Sequence, residues 1–142
     1  MASELIKAVL DTNVVVSASL QPLGIPASIV AAGISRKFIP CLSADILAEY
    51  REVLSRGKFS FPSKRINAVV ADIESAGELS KPSKRLSVCT DDDDNKFVEC
   101  AEAANARYIV TGNTKHYPAH YRATKIVTPR EFAMILISAG MI

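Results

Sequence analysis

At 142 residues the chain suits one domain with its own core and is short for two. Hydrophobic residues make up 49% and charged residues 23%, a balance that excludes a disordered chain. Net charge is only +2, so the total excludes the strongly basic or acidic classes and says little else about partners.

The first element is Ile6 to Leu10, apolar except for Lys7, ending at Asp11-Thr12-Asn13. It predicts a strand buried on both faces that ends in polar residues. Past the Gln21-Pro22-Leu23-Gly24 turn, Ile25, Ile29 and Gly33 lie four apart with Val30 and Ile34 beside them, which predicts a helix. Lys37 to Leu42 predicts a second short strand, and Pro40 points to a sheet edge. Ser43 can cap a helix whose Ile46, Leu47, Tyr50, Val53 and Leu54 share one face, ending near Gly57. Pro62 opens another, carrying Ile66, Val69, Val70 and Ile73 and stopped by Gly77. Leu79 to Leu86, rich in Ser, Lys and Pro, reads as a surface connection. Asp91 to Asp94 precede a helix with Phe97, Val98, Ala101 and Ala104 on one side. Tyr108 to Thr111 is an apolar strand closed by Gly112-Asn113, Ile126-Val127 a last short strand, and Pro129 begins a terminal helix through Ile137. Strands alternating with helices predict a single domain, residues 1–142, of three-layer α/β/α architecture with a mostly parallel sheet. Such sheets bind ligands beyond the carboxyl ends of their strands.

Cys41, Cys89 and Cys100 are odd in number, widely spaced and accompanied by only two His. Neither a disulfide framework nor a zinc site fits, and they read as free, mostly buried thiols. Met1 to Lys7 lacks a basic region followed by an apolar stretch, and Phe132 to Ile142 falls short of the ~20 residues that span a bilayer. A cytoplasmic protein is expected. Charge is unevenly distributed: Arg51 to Arg85 holds eight Lys/Arg against four Asp/Glu, while Leu86 to Glu102 holds six Asp/Glu against one Lys. A basic surface beside an acidic centre suits a nucleic-acid enzyme, although solvated faces give similar patterns.

Asp11 closes the first strand and Asn113 follows the Tyr108 to Thr111 strand, so parallel pairing would bring both to one sheet edge. Asp11 suits a turn or a cap equally well. Glu49, three residues after Ile46 and four before Val53, borders the apolar face of its helix; an ion pair with Arg51, Arg56 or another surface cation, or plain exposure, is the alternative. Asp94 lies three and four residues before Phe97 and Val98, on the inward face. One carboxylate at a helix start is favoured by ~0.3 to 1 kcal/mol. Four in a row go beyond capping, because like charges at ~4 Å repel by about 1 kcal/mol in water and about 4 at an effective dielectric of 20. Some must face solvent, and Asp92 is expected to. Three acids from separate segments suit a hard divalent cation with oxygen ligands, which lowers the pKa of water and holds a phosphate oxygen. Phosphoester hydrolysis is the chemistry this favours. His116 and His120 lie in a loop broken by Pro118 and read as structural or exposed; no Ser-His-Asp arrangement, Walker loop or dinucleotide turn is recognisable.

Val9-Leu10-Asp11-Thr12-Asn13-Val14, Leu47-Ala48-Glu49-Tyr50, Asp91-Asp92-Asp93-Asp94-Asn95-Lys96-Phe97 and Tyr108-Ile109-Val110-Thr111-Gly112-Asn113 together resemble the PIN-domain family over nearly the whole chain. The similarity is greatest to bacterial VapC-like members described as toxin components of toxin-antitoxin systems. The resemblance implies a ribonuclease using Mg²⁺ or Mn²⁺, held mainly by Asp11 and Asp94, with Glu49 and Asn113 completing the ligand set directly or through water. It implies that Thr12, Asn13 and Thr111 orient ligands or a phosphate. It further implies in-line attack of water on RNA, leaving 5′-phosphate and 3′-hydroxyl ends, an antitoxin protein over the acidic groove, and a homodimer. Asn113 is the main departure, standing where many members carry a fourth acid; an amide oxygen can bind a metal but brings no charge. A catalytically weak PIN domain that binds RNA or a protein partner without cleavage is therefore the alternative. A receiver-like phospho-acceptor is disfavoured by the single acid in Asp11-Thr12-Asn13, although Lys115 is suitably placed, and Asn13 argues against a DxD phosphatase.

Overall fold

The computed structural model describes residues 5–142; residues 1–4, part of the segment read for a leader, lie outside them. In chain order the elements are β1 (Lys7–Leu10), α1 (Thr12–Leu20), α2 (Ile25–Ile34), β2 (Ile39–Leu42), α3 (Ala44–Leu54), α4 (Ser63–Ala76), β3 (Glu78–Leu79), α5 (Asn95–Ala104), β4 (Tyr108–Val110), β5 (His120–Tyr121), β6 (Thr124–Val127) and α6 (Pro129–Ser138). Short 3-10 turns lie at Gly57–Phe59, Asp92–Asp94 and Thr114–His116. Among the described residues, no single helix is long and apolar enough to cross a membrane.

The strands form one sheet in the order β3-β2-β1-β4-β6-β5, parallel except for β5 against β6. From β1 the chain moves outward to β2 and β3, then returns through α5 to β4 on the far side of β1. Right-handed crossovers in opposite directions put α5 on the face opposite α1 to α4. This is the expected α/β layering with a mostly parallel sheet. The reversal also opens a crevice between the carboxyl ends of β1 and β4.

Four features depart from the sequence reading. Helix α1 has no counterpart in the predicted elements, because Val14, Val15 and Val16 are poor helix formers and carry no clear helical period. It forms because Asp11 caps it, its carboxylate accepting from the Asn13 amide, and because Val14 and Val15 are buried as α1 packs on α2 and α3. Strand β2 is not an edge strand, since it lies between β1 and β3. Ile39 N–H donates towards β1, to the Ile6 carbonyl at 2.8 Å, so the alternation of strand amides turns the position of Pro40 towards β3. There β3 pairs only with Cys41 and Leu42, and no ladder bond is lost to the proline. Strands β3 and β5, two residues each, are too short to carry a sequence period. The other predicted helices and strands occur with ends shifted by one or two residues.

Local chemistry sets the ends of the helices around the crevice. Ser43 caps α3 by accepting from the Ile46 amide, and a Cβ at Gly77 would stand 2.6 Å from the Pro40 carbonyl oxygen, so α4 ends in close contact with β2. Ile46, Leu47, Tyr50 and Leu54 are buried as the pattern requires, with Val53 at the margin. Helix α6 buries Phe132 and Leu136 and exposes Met134 and Ile137. Cys41 and Cys100 are buried, Cys89 is half-buried, and all three are free.

Tyr50 fastens α3 to the site edge. Its ring is fully buried and its hydroxyl donates to the Leu10 carbonyl at 2.5 Å, one residue before Asp11. Tyr50→Phe keeps the ring and removes that donor, so we expect a loss of about 1 to 2 kcal/mol in a urea titration with an unchanged m-value. A variant as stable as the wild type would show that the hydroxyl does not hold the helix.

Candidate active site

The register Leu10↔Val110 puts Asp11 and Thr111 side by side beyond β1 and β4, and Asp11 N–H extends the ladder to the Val110 carbonyl at 2.9 Å. Asp11 is buried, at 6% exposure. Its Oδ2 accepts from Thr111 Oγ1 at 2.9 Å and from Tyr117 Oη at 2.8 Å, while Oδ1 has only the long capping bond from Asn13 N–H at 3.4 Å. Burial raises its pKa, the hydrogen bonds from Tyr117, Thr111 and Asn13 pull it down, and the charge of Glu49 adds to the rise; the net shift is upward. The same burial and the adjacent Asp11 charge raise the Tyr117 hydroxyl, which stays a donor.

Glu49 reaches the same edge from α3 and is fixed at both oxygens. Thr12 Oγ1 donates to Oε2, and Lys96 Nζ donates to Oε1 at 2.6 Å. Thr12 follows Asp11 directly, so this bond ties two of the three acids. The alternative of an ion pair is also met, though by Lys96 and not by Arg51 or Arg56, which pair with Glu74 and Glu52. Burial works against the charge on Lys96, yet Glu49 outweighs it and the ammonium pKa is raised.

Asp94 ends the 3-10 turn that leads into α5, and only 16% of its side chain is exposed. Its Oδ2 is buried and accepts no hydrogen bond; His116 Nδ1 is 3.4 Å away but is not aligned to donate. Burial first, then the charges of Asp11, Asp91 and Glu49, push the carboxyl up to about 6, with His116 offsetting part of the rise. Asp91, Asp92 and Asp93 face solvent, as expected for Asp92. Asn95, buried behind them, accepts from the Val88 and Cys89 amides at 3.0 and 2.9 Å and fixes the approach to the acidic turn.

The remaining expected residues divide. Asn13 bridges the two strand ends, accepting from Gly112 N–H at 3.1 Å and donating to Thr111 Oγ1 at 3.4 Å. Thr111 is fully buried and also accepts from the Asn113 amide at 3.0 Å. Asn113 itself is exposed, and its side chain makes no hydrogen bond to the three acids. Sequence reasoning missed Tyr117 and Lys96. Lys96 is the one cation in the Leu86 to Glu102 stretch, which was a usable signal; Tyr117 lies in a loop that offers none.

The charge of Glu49 thus raises the proton affinity of Asp11, and the charges of Asp11 and Glu49 raise that of Asp94, at a single sheet edge. Among the described residues, however, no three His, Cys, Asp or Glu side chains close into a ready ligand set, and Lys96 engages the Glu49 oxygen nearest it. The carboxylate oxygens of these acids least engaged by donors are Asp11 Oδ1, with its long bond from Asn13, and those of Asp94. An open groove of about 700 Å³ runs past Glu49 and Lys96 between α3, α5 and the 85–86 segment. Its walls carry Asp45, Glu49, Glu52, Asp92, Asp93 and Glu99 against Arg56, Arg85 and Lys96, so it is acidic; Asp11 and Asp94 lie outside them.

A PIN-domain model matches residues 7–115, and the chain belongs to the PIN-domain family. An uncharacterized protein of Methanocaldococcus jannaschii is 32% identical over 139 residues, an alignment covering 89% of each chain. In fold, the chain is similar to one chain of VapBC2 from Rickettsia felis, solved bound to a DNA fragment from their promoter. That match has a TM-score of 0.56 at 16% identity and covers 87% of this chain and 98% of the other.

The Asp94 carboxyl binds its proton more tightly folded, at about 6, than at its ordinary 3.8. Stability therefore falls as pH rises from about 4 through about 6, and the loss is complete above that window. In melts with EDTA, Asp94→Asn should flatten this slope and raise Tm at pH 7 by roughly 3 °C or more. An unchanged slope would show that another group carries it.

Proposed function

We propose that the chain is a divalent-metal-dependent endoribonuclease, acting in the cytoplasm as the toxin component of a toxin-antitoxin pair. The observation that carries this reading is the buried Asp94 Oδ2, which has no donor, at the edge where Asp11 is buried and raised as well. Leaving such an atom unpaired costs about 1 to 3 kcal/mol, more for a charged group, so a cation is the simplest partner. The donor set is all oxygen, which fits Mg²⁺ or Mn²⁺. Family membership supports the reading, and the likeness of fold to a VapBC2 chain supports an antitoxin partner.

In this mechanism Asp11 and Asp94 would hold the ion, and Glu49 and the Asn113 side-chain amide would complete its surroundings directly or through water. When bound, such an ion supplies Lewis-acid activation of water and charge neutralisation at a phosphodiester. Thr111 and Tyr117 hold Asp11 by Oδ2, so that Oδ1, with only its long bond from the Asn13 N–H, would be the oxygen offered to an ion. Thr12 and Lys96 fix Glu49 beside it, so the Lys96 ammonium stands at the same edge. Asn13 keeps the two strand ends from parting. The acidic groove suits a basic segment of the antitoxin, and a second copy can cover Met134 and Ile137 on α6 in a homodimer.

The exposed Asn113 amide and the unclosed acidic trio favour a second reading, a PIN domain that binds RNA or a protein partner without cutting.

Two measurements separate these readings. RNA should be cut by the wild type with Mg²⁺ or Mn²⁺, and Asp11→Asn or Asp94→Asn should reduce cleavage to background; undiminished cleavage in both would defeat the assignment. Metal at about a hundred times its Kd should stabilise the wild type by about 2.7 kcal/mol, several degrees in Tm, and the Asp94→Asn protein by much less. RNA binding without product at any metal concentration would favour the second reading.

A further inference from the structure

An acidic groove beside acidic ligands repels the phosphates of a substrate, so the cations that hold RNA must lie elsewhere. Residues 56–71 carry Arg56, Lys58, Lys64 and Arg65 and no acid. Arg56 is paired with Glu52; Lys58, Lys64 and Arg65 are exposed and have no carboxylate partner among the described residues. Two of the five phenylalanines stand among them, where α3 passes into α4.

Phe59 and Phe61 are stacked on each other, with centroids 5.7 Å apart and planes 16° from parallel. Extended backbone would send side chains two apart to the same side but splay them; here Ser60, in the left-handed region at φ 56, folds the chain so that the rings meet. Lys58 Nζ lies 5.1 Å from the Phe59 centroid, and the Arg65 guanidinium lies 4.8 Å from that of Phe61. Arg65 is tethered by a bond to the Ser19 carbonyl at 2.6 Å, whereas Lys58 has no hydrogen-bond partner among the described residues and is free to leave its ring. Both rings are half-buried rather than sealed.

Paired rings flanked by unpaired cations meet the two needs of a single strand, a flat apolar face for a base and positive charge for its phosphates. We infer that Phe59 and Phe61, with Lys58, Lys64 and Arg65, form a platform that holds single-stranded RNA outside the cleavage site. A base stacks on the ring pair as Lys58 swings from Phe59 to a phosphate. The platform rests on the ribonuclease reading for its purpose, though not for its physics. From Glu49 to Leu54 the α3 axis runs about 8 Å, and the loop adds to it. One strand can then occupy both places only if it extends several nucleotides beyond the bond that is cut.

The test is fluorescence anisotropy of the full chain in EDTA, with an oligouridylate and an abasic ribose-phosphate oligomer of equal length. The wild type should bind the oligouridylate about tenfold more tightly. Phe59→Leu with Phe61→Leu keeps the apolar volume, and with folding confirmed by its melt it should abolish that difference. Lys58→Gln with Lys64→Gln should lower the slope of log affinity against log salt by roughly 0.7 for each phosphate no longer neutralised. Equal binding of the two oligomers by the wild type, or an unchanged preference in the leucine variant, overturns the platform, as does equally tight binding of polyglutamate. Base-dependent binding by a protein that never cuts RNA leaves the platform standing and removes the ribonuclease reading; cleavage by a protein without base preference does the reverse.

Discussion

The parallel pairing of β1 with β4 is the constraint on which the site depends. These strands are adjacent in the sheet but separated by about a hundred residues, joined through two outward crossovers and one return. Because the chain leaves β1 in one direction and β4 belongs to the returning half, no crossover covers the gap between their carboxyl ends. Into it the register delivers Asp11 and Thr111, and the Asn13 amide spans from one strand end to the Gly112 backbone. A slip of one residue would turn Asp11 to the other face of the sheet and break these bonds together. Tyr50 and Thr12 then carry the geometry outward to α3, the first through the Leu10 carbonyl and the second through Glu49.

The three acids are neutralised unequally, which divides their labour. Glu49 has a full ammonium at contact distance, Asp11 has neutral hydroxyl donors on one oxygen, and Asp94 has an unaligned, half-exposed imidazole. The charge left over is concentrated on Asp11 and Asp94, the two groups whose pKa values rise. A fold selected for stability alone would fill this crevice with apolar side chains, since a buried charge without a partner costs several kcal/mol. Retaining a buried Asp11 that only neutral donors hold and an Asp94 oxygen with none, at the switch point of the sheet, fits the proposed cation site.

The parts of this site that could be read from the residues were those announced by an interruption of pattern. Asp11 ends an apolar run, Glu49 sits on the margin of an apolar face, and Asp94 closes a crowded acidic run that local capping does not explain. Each is a local conflict that only a tertiary role resolves. Tyr117 interrupts nothing: it is an ordinary loop aromatic until the fold returns it to Asp11, 106 residues away in sequence. Helix α1 was hidden for the opposite reason, since three consecutive valines oppose it locally and burial against α2 and α3 overrides them. Proline 40 carried a true local meaning, a missing donor, whose placement depended on how few residues β3 contributes.

If the proposed function holds, attraction of RNA and its hydrolysis make opposite electrostatic demands, which separate places on the chain can meet. At physiological ionic strength charges are screened over about 8 Å. The cations around Phe59 and Phe61 follow the carboxyl end of α3, a helix turn and more past Glu49, where on the proposed reading they would draw in phosphates without sitting among the acids. For the same reason they cannot make the acidic edge hospitable to the phosphate that reacts. That neutralisation would have to come from within the site, where Lys96 is already committed to Glu49, while Asp11 Oδ1 has only its long bond from Asn13 and Asp94 Oδ2 has none. On the proposed reading, holding a strand and admitting its phosphate would therefore be separable steps, the first governed by salt and ring stacking and the second by a cation held at Asp11 and Asp94.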